Sequence, residues 1–243
     1  MKVLFEISLK LDRDLKTIFF GIPEGEEVDE MYGFRYRNYL IHAYIEKNST
    51  EKDIDEYDDG RSVYFIAKID NRIIGSVRLI RDYYLPTEKD CFKFEEPEIL
   101  KIVIRDRRAE IGRLIIEKYS ERAFLPRNLV MFGLMGVLIN YAKNKHIEGG
   151  YAFIKNSLKS KLDYLKFPYH KIENYTLVYN NGVLKKYFFD QVNPAIPIVY
   201  LTDEIDLYIN RILNNKFLFK TSQDKGRLIL RFNFIWFLFR KFL

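Results

Sequence analysis

Gly75-Ser76-Val77-Arg78-Leu79-Ile80 and, further along the chain, Ala109-Glu110-Ile111-Gly112-Arg113 are two strand-like stretches that carry charged side chains. Both follow the acidic loop Asp55-Glu56-Tyr57-Asp58. A charge on a half-buried strand is costly unless a partner neutralises it. The three segments therefore predict either a network of structural ion pairs or groups held in place for chemistry. Their order and spacing favour chemistry.

Composition describes a globular protein large enough to bury a sizeable core. The 243 residues are 48% apolar and 30% charged, and the single cysteine, Cys91, excludes an intramolecular disulfide framework. One cysteine is typical of a reducing compartment, so we expect a cytoplasmic protein. The N-terminal segment lacks the apolar core and cleavage site of a signal peptide.

Charge is distributed unevenly along the chain. Residues 1–60 hold 8 Lys and Arg against 15 Asp and Glu, whereas residues 207–243 hold 8 Lys and Arg against one acid. A basic later part suits an acidic partner such as a carrier protein, an anionic membrane or a nucleic acid. A solvated basic face is the alternative interpretation.

Hydrophobic periodicity and turn residues predict an alternation of helices and strands. The predicted elements are a helix over 29–45, strands over 62–69 and 73–80 joined by a turn at Asp70-Asn71-Arg72, a strand over 110–116, a helix over 128–145, a strand over 151–154, a helix over 157–165, and a hairpin of 169–179 with 183–189 around Asn180-Asn181-Gly182.

Five motifs in this order resemble one branch of the acetyltransferase superfamily. They are Arg35-Tyr36-Arg37-Asn38-Tyr39, the acidic loop 55–58 followed by Tyr64, Gly75-Ser76-Val77-Arg78-Leu79, Leu85-Pro86-Thr87-Glu88, and Glu110-Ile111-Gly112-Arg113. The branch contains the acyl-homoserine-lactone (autoinducer) synthases and the N-acyl amino acid synthases, and the resemblance covers roughly residues 29–200. It implies an α/β, GNAT-like fold: a central mixed, mostly antiparallel sheet flanked by helices. Two central strands splay apart in this fold, and a thioester's pantetheine arm enters the gap.

Two departures from the pattern bear on function. Gly112 stands where the family usually has serine, and the only tryptophan is Trp236. The tryptophan that lactone synthases carry near the N-terminal helix is therefore missing. This difference favours the amino-acid branch.

The resemblance and the chemistry of amide formation assign roles to the charged residues. Glu110 is the candidate base, because an ammonium must lose a proton before it can attack a thioester. Arg78 or Arg113 could bind the acceptor's carboxylate bidentately, and backbone N–H groups of the splayed strand could stabilise the oxyanion. Arg35, Asp55 and Asp58 are expected to shape the acceptor site. The alternative is that all six residues form only an ion-pair network.

Strand geometry sets a condition on this assignment. Residues 110 and 113 are an odd number apart, so a regular strand would point them to opposite faces. Both can face one cavity only if a bulge intervenes.

The segment before the long helix is the candidate phosphate site. Residues 122–128 contain no glycine but include Arg122, Arg127 and Asn128. Acetyl-CoA enzymes hold a pyrophosphate with a glycine-rich loop at this position, so its absence favours acyl carrier protein over coenzyme A as the donor. Surface arginines on a helix capped by Asn128 are the alternative. The apolar face of 129–139 could line an acyl tunnel, although core packing explains most of it.

No resident cofactor or metal is expected; the acyl thioester is a co-substrate. Asp53, Asp55, Asp58 and Asp59 fail the spacing of a calcium-binding EF-hand loop. The three histidines are too scattered for a metal motif.

The C-terminal run RLILRFNFIWFLFRKFL, residues 227–243, predicts a helix that is too short to span a bilayer. We expect residues 1–205 to form the acyltransferase domain and 206–243 a basic, aromatic-rich helical extension. The extension could lie on the inner membrane leaflet, or it could pack on the protein or a second subunit.

The sequence thus predicts an N-acyltransferase that joins a fatty acyl thioester to an amino-acid-like amine. One alternative is an acyl-homoserine-lactone synthase that uses S-adenosylmethionine. Another is a non-catalytic membrane- or nucleic-acid-binding module, although the basic residues follow no known nucleic-acid motif and no nucleic-acid partner is expected.

Overall fold

The computed structural model describes residues 1–11, 14–117, 128–180, 182–216, 219–224 and 227–232. The strands in these ranges are β1 Lys2–Leu11, β2 Asp14–Ile22, β3 Ser62–Ile69, β4 Arg72–Ile80, β5 Phe92–Phe94, β6 Arg108–Ile116, β7 Gly149–Lys155, β8 His170–Lys171, β9 Tyr175–Leu177, β10 Ala195–Leu201, β11 Phe219–Asp224 and β12 Arg227–Phe232. The α-helices are α1 Glu26–Ile41, α2 Glu98–Lys101, α3 Leu129–Asn144, α4 Asn156–Tyr164, α5 Lys185–Phe188 and α6 Thr202–Leu213.

A ten-stranded sheet organises the fold, in the order β11-β12-β1-β2-β3-β4-β6-β7-β10-β8. Its neighbours pair antiparallel except β1 with β12 and β6 with β7. The turn between β3 and β4 has positive φ at Asp70 and Asn71, which is the conformation of a two-residue hairpin turn. The predicted α/β class and its mostly antiparallel central sheet are confirmed.

Helices α1 and α3 lie on opposite faces of the sheet. Phe65 and Ala67 of β3 pack in the main core cluster with α3 and α6, whereas Ile66 packs in a second cluster with α1. Because successive strand residues point to opposite faces, each helix covers its own side. The second cluster also contains Phe188 of α5, so α5 shares the α1 face.

The predicted C-terminal helix is wrong for residues 227–232. These residues form β12, which pairs parallel with β1 and antiparallel with β11. Periodicity alone cannot distinguish a helix from a strand in a short apolar run. Here the backbone of β1 provides hydrogen-bond partners along the edge of the sheet, and these favour the strand. Residues 233–243 lie outside the described residues, so membrane contact by that segment stays a prediction. In the described part of the chain, no helix is long and apolar enough to cross a membrane.

The predicted hairpin around residues 180–182 is also wrong. Strand β9 pairs with β5 instead, and residues 185–188 form α5. Tyr187 and Phe188 are buried in the second cluster, so tertiary packing overrides a local turn signal. The N-terminal strands β1 and β2, which form an antiparallel pair, were not predicted.

Two glycines of the central strands differ in how closely the neighbouring backbone approaches. A Cβ at Gly150 would overlap the carbonyl oxygen of Ala109, whereas a Cβ at Gly112 would meet nothing within 4 Å. We expect Gly150→Ala to destabilise the fold by about 3 kcal/mol, and Gly112→Ala to change stability by less than about 1 kcal/mol. Urea unfolding measures both; equal midpoints for the two variants would contradict this account.

Candidate active site

The sheet opens between its two central parallel strands. Strands β6 and β7 pair only from Arg108 opposite Gly149 to Ile111 opposite Ala152. Both strands continue beyond that point, β6 to Ile116 and β7 to Lys155. They therefore diverge and leave a gap between two strand edges, as the family resemblance implies.

A bulge in β6 places Arg113 on the same face as Glu110. Between the pairs Ser76 opposite Ile115 and Arg78 opposite Gly112, β6 contains one residue more than β4. Arg113 has φ +54°, a conformation that costs a non-glycine residue about 1–2 kcal/mol. The extra residue reverses the alternation, and Glu110 and Arg113 line one cleft. The condition set by their odd spacing is met.

Three aspartates and three arginines form a buried network beside this bulge. The side chains of Asp53 and Asp58 are each 1% exposed. The hydrogen bonds that join them include Arg35 Nε to Asp53 Oδ2 at 2.8 Å, Arg113 Nε to Asp53 Oδ2 at 2.9 Å, Arg113 Nη2 to Asp55 Oδ2 at 2.8 Å, Arg78 Nη1 to Asp55 Oδ1 at 2.7 Å, Arg78 Nη2 to Asp55 Oδ2 at 2.9 Å, Arg78 Nη1 to Asp58 Oδ1 at 2.9 Å, and Arg35 Nη1 to Asp58 Oδ1 at 3.5 Å.

The network favours the ionised forms of Asp53 and Arg113. Burial by itself raises the pKa of Asp53, but the guanidiniums of Arg113 and Arg35 lower it below its usual value. Burial likewise opposes the charge on Arg113, and the facing Asp53 and Asp55 hold its pKa well above the usual value. Charges of both signs balance, which offsets the cost of removing each from water.

The acidic loop is ordered by local hydrogen bonds as well as by the arginines. Asp55 caps the short 3-10 turn Glu56–Asp58, and the backbone N–H of Asp55 donates to Asp58 Oδ2 at 2.8 Å. Tyr64 of β3 donates its hydroxyl proton to Asp58 Oδ1 at 2.6 Å. These bonds therefore fix the carboxylates of the loop against the arginines of β4 and β6.

Glu110 lies apart from the network. Its carboxylate Oε2 accepts a hydrogen bond from the backbone N–H of Thr87 at 2.7 Å, and Glu110 forms no ion pair with any of the described residues. Burial raises the pKa of Glu110 to about 8, although the Thr87 N–H and the Arg78 charge act in the opposite direction. A carboxyl group with this pKa can exchange a proton near neutral pH.

Asp55, Arg78, Glu110 and Arg113 line a cleft of about 790 Å³ on the α1 face, whereas Arg35 and Asp58 do not reach its lining. Its lining also includes Cys91 and apolar side chains, among them Phe153, Leu184 and Phe188. Burial raises the pKa of the Cys91 thiol far above its usual value, with further contributions from Glu110 and Asp90. A thiol held neutral is a poor nucleophile, so the cleft offers a carboxyl group rather than a cysteine for chemistry.

Of the three residues predicted for the phosphate site, the structure describes only Asn128. Arg122 and Arg127 lie outside the described residues. Asn128 directly precedes α3, but its side chain makes no capping hydrogen bond, so the capping interpretation is wrong. Its buried Oδ1 has no hydrogen-bond partner within the ranges that the structure covers. Residues 129–139 of α3 pack in the core, and none lines the cleft.

Sequence reasoning missed two contributors to the site. Asp53 joins Arg35 to Arg113, whereas the sequence suggested it only as a candidate calcium ligand. The available signal was three aspartates within six residues, matched in number by one arginine in the preceding motif, Arg35, and two in the later motifs, Arg78 and Arg113. Thr87 lies in the motif Leu85-Pro86-Thr87-Glu88, but it contacts Glu110 through its backbone N–H, which the residue type does not reveal. Among the described residues, no group of three or more His, Cys, Asp or Glu is placed to hold a metal.

A mixed sheet that opens between two parallel strands is typical of the acetyltransferase-like class of folds, and here the buried carboxyl group of Glu110 lies beside the opening. The model of the family described as N-acyl amino acid synthase FeeM matches residues 30–156, just over half of the chain. The chain therefore belongs to this family and is an acyltransferase. A search of the curated proteins finds no match.

Solved structures of acyl-homoserine lactone synthases share the fold. TofI in a ternary complex with an inhibitor and MTA is 14% identical with a TM-score of 0.55, over 79% of this chain and 95% of that one. The AHL synthase LasI is 12% identical with a TM-score of 0.53, over 76% and 90%. The CoA-dependent synthase MesI is 14% identical with a TM-score of 0.51, over 83% and 91%.

Proposed function

We propose that this protein is an N-acyltransferase that joins a fatty acyl group from a thioester to an amino-acid-like amine, with Glu110 as the base. The observation that carries the proposal is the buried Glu110 carboxyl, whose pKa is raised to about 8 at the opening of the sheet. Membership of the N-acyl amino acid synthase family supports the amine as acceptor.

Glu110 would take one proton from the acceptor ammonium. The free amine then attacks the thioester carbonyl, a C–N bond forms, and the C–S bond breaks. The nitrogen still carries two protons after the attack and releases one of them to solvent as the C–S bond breaks. The proton held by Glu110 passes to the departing thiolate, so that the carboxylate is restored and the products are the amide and a free thiol. Backbone N–H groups along the gap between β6 and β7 are candidate donors to the oxyanion.

The arginine–aspartate network would position the acceptor site rather than react. Arg113 donates Nε and Nη2 to Asp53 and Asp55, and Arg78 donates Nη1 and Nη2 to Asp55, which occupies most of the groups that a bidentate carboxylate clamp would need. Arg78 Nε is buried without a hydrogen-bond partner among the described residues. The role of both arginines in this proposal is to fix the acidic loop and the bulge. Orientation of this kind can supply much of a rate enhancement.

The donor is proposed to be acyl carrier protein rather than coenzyme A. The segment before α3 lacks the glycines that cradle a pyrophosphate, and a carrier's phosphopantetheine has one phosphodiester. Arg122, Arg127 and Asn128 are the proposed contacts. Parallel assays with the same acyl group on carrier protein and on coenzyme A test this; we expect the higher kcat/KM with the carrier.

The reaction itself is tested by mass spectrometry of organic extracts from bacteria that express the protein. We expect a series of N-acyl amino acids, spaced by CH₂CH₂ units, that an empty-vector strain lacks. Extracts identical to the empty-vector control would overturn the proposal. Methylthioadenosine release from S-adenosylmethionine by purified protein would instead show lactone synthesis.

A further inference from the structure

A second cleft of about 800 Å³ adjoins the first. The two clefts share Ile54, Gly182 and Val183 in their linings. Ile54 lies between two aspartates of the buried network, so the second cleft opens directly beside the proposed acceptor site. We call this second cleft the lysine groove, because Lys47, Lys52, Lys185 and Lys186 line it.

The lysine groove has an excess of positive charge. Lys52 pairs with Asp29 at 2.9 Å, and Lys186 lies 3.4 Å from the exposed Glu46. Lys47 and Lys185 have no ion-pair partner in the portion of the chain that the structure describes. The other acid in the lining, Asp53, is committed to Arg35 and Arg113. An anionic ligand would therefore find lysines available in this groove.

Apolar side chains lie among the lysines. Ile54, Val183 and Phe189 are 47%, 50% and 53% exposed and line the groove. A ligand with a short apolar stem ending in an anionic group matches this combination, since the stem would cover these side chains while lysines reach the charge.

The position of the groove favours the acceptor over the donor as its occupant. The groove is built from the segment 45–54 that follows α1 and from α5, and both lie on the α1 face. Asn128, at the start of α3, belongs to the helix that covers the opposite face. A thioester that enters through the gap from the α3 side would leave the α1 face to the amine.

We propose that the lysine groove selects acceptors that carry an anionic group, a carboxylate or a phosphate, at the end distant from the amine. This inference rests on the proposed function, since it names the substrate class of the same site. The amine would lie at Glu110, and the distal anion would bind among Lys47, Lys185 and Lys186.

Acceptor pairs that differ in the charge of the distal group test the proposal. Purified protein is given one acyl donor and either glutamate or glutamine, O-phosphoserine or serine, each as the free amino acid and as the second residue of a glycyl dipeptide. We expect kcat/KM to favour the anionic member by about tenfold at low salt and by less as salt is raised. The glutamate and phosphoserine arms distinguish carboxylate from phosphate.

Charge variants connect this preference to the groove. We expect Lys185→Gln/Lys186→Gln to reduce the preference severalfold through KM. The control Lys145→Gln/Lys171→Gln removes the same charge at exposed positions outside both clefts and should retain the preference. Circular dichroism and urea midpoints check that both variants fold.

Three outcomes separate the hypotheses. If no amine is acylated, the proposed function fails. If amines are acylated without an anionic preference, or if both double variants retain it, the function stands and the inference is overturned. If the groove variant raises KM for acyl carrier protein and leaves acceptor discrimination intact, the groove binds the donor, which also overturns the inference.

Discussion

Replacing Glu110 with glutamine is expected to lower kcat/KM for amide formation by about 10²–10⁴-fold, the usual contribution of a positioned base. Glutamine keeps the size of the side chain and can still accept the Thr87 N–H bond that Glu110 Oε2 accepts at 2.7 Å. The variant loses only the ability to take a proton. Steady-state assays with a saturating donor measure the change.

The pH profile identifies the group responsible. The pKa of Glu110 is about 8, and only the deprotonated form can accept a proton, so kcat/KM of the unchanged protein should fall as pH drops below about 8. This limb should disappear in Glu110→Gln. Any limb that the variant retains belongs to the acceptor amine. Identical profiles for the two proteins would exclude Glu110 as the base.

The free energy of unfolding provides an internal control, because Glu110→Gln should raise stability while it lowers activity. The pKa of Glu110 rises from 4.5 to about 8 on folding, so between these values the folded protein binds more protons than the unfolded chain, and the free energy of unfolding decreases as pH rises. Each pKa unit corresponds to about 1.4 kcal/mol. Glu110→Gln should therefore be several kcal/mol more stable than the unchanged protein above pH 8, with the difference shrinking towards pH 5. A variant that is inactive and less stable at every pH would show a structural role instead.

Replacing Asp53 with asparagine should produce the largest loss of stability at the site, about 3–5 kcal/mol. Asp53 bonds Arg35 Nε at 2.8 Å and Arg113 Nε at 2.9 Å, and all three side chains are at most 3% exposed. Removing its charge leaves one buried guanidinium uncompensated. A loss of this size is a large share of the stability of an ordinary domain.

Asp59→Asn is the matched control. Asp59 follows the same loop but is 55% exposed and pairs with Arg61 at 2.9 Å. Exposed pairs contribute about 0–1 kcal/mol. Urea unfolding of both variants at pH 7 measures the difference, and equal losses would contradict the account of the network. Below pH 3.8 the two effects should converge, because the lowered pKa of Asp53 makes its stabilisation disappear as the carboxylate is protonated.

Local patterns in the sequence were sufficient for the elements that build the centre of the sheet. Two runs of β-favouring residues and the Asp70-Asn71-Arg72 turn between them predicted β3 and β4 nearly to the residue. A continuous apolar run predicted α3. These signals are contained within a few neighbouring residues, so no distant partner is needed to interpret them.

Elements whose partners are distant in sequence were predicted poorly. Strand β12 finds its place on the edge of β1, at the other end of the chain. The predicted hairpin around residues 180–182 does not form, because β9 pairs with β5 and Phe188 of α5 packs in the second cluster. Pairing over such separations depends on which edges and apolar surfaces the rest of the fold leaves open.

The sequence by itself determined the fold class, the family resemblance and the charged residues that meet at the opening of the sheet. Only the tertiary structure decided which of those charged groups pair with one another and which stays outside the network. The bulge at Arg113 turns its side chain to the face of Glu110, and the acidic loop then binds the arginines and leaves Glu110 outside the network. The physical reason is that ion pairing and desolvation depend on distances across the folded chain. The pKa of the same carboxyl group is about 4.5 in the extended chain and about 8 once the protein has folded.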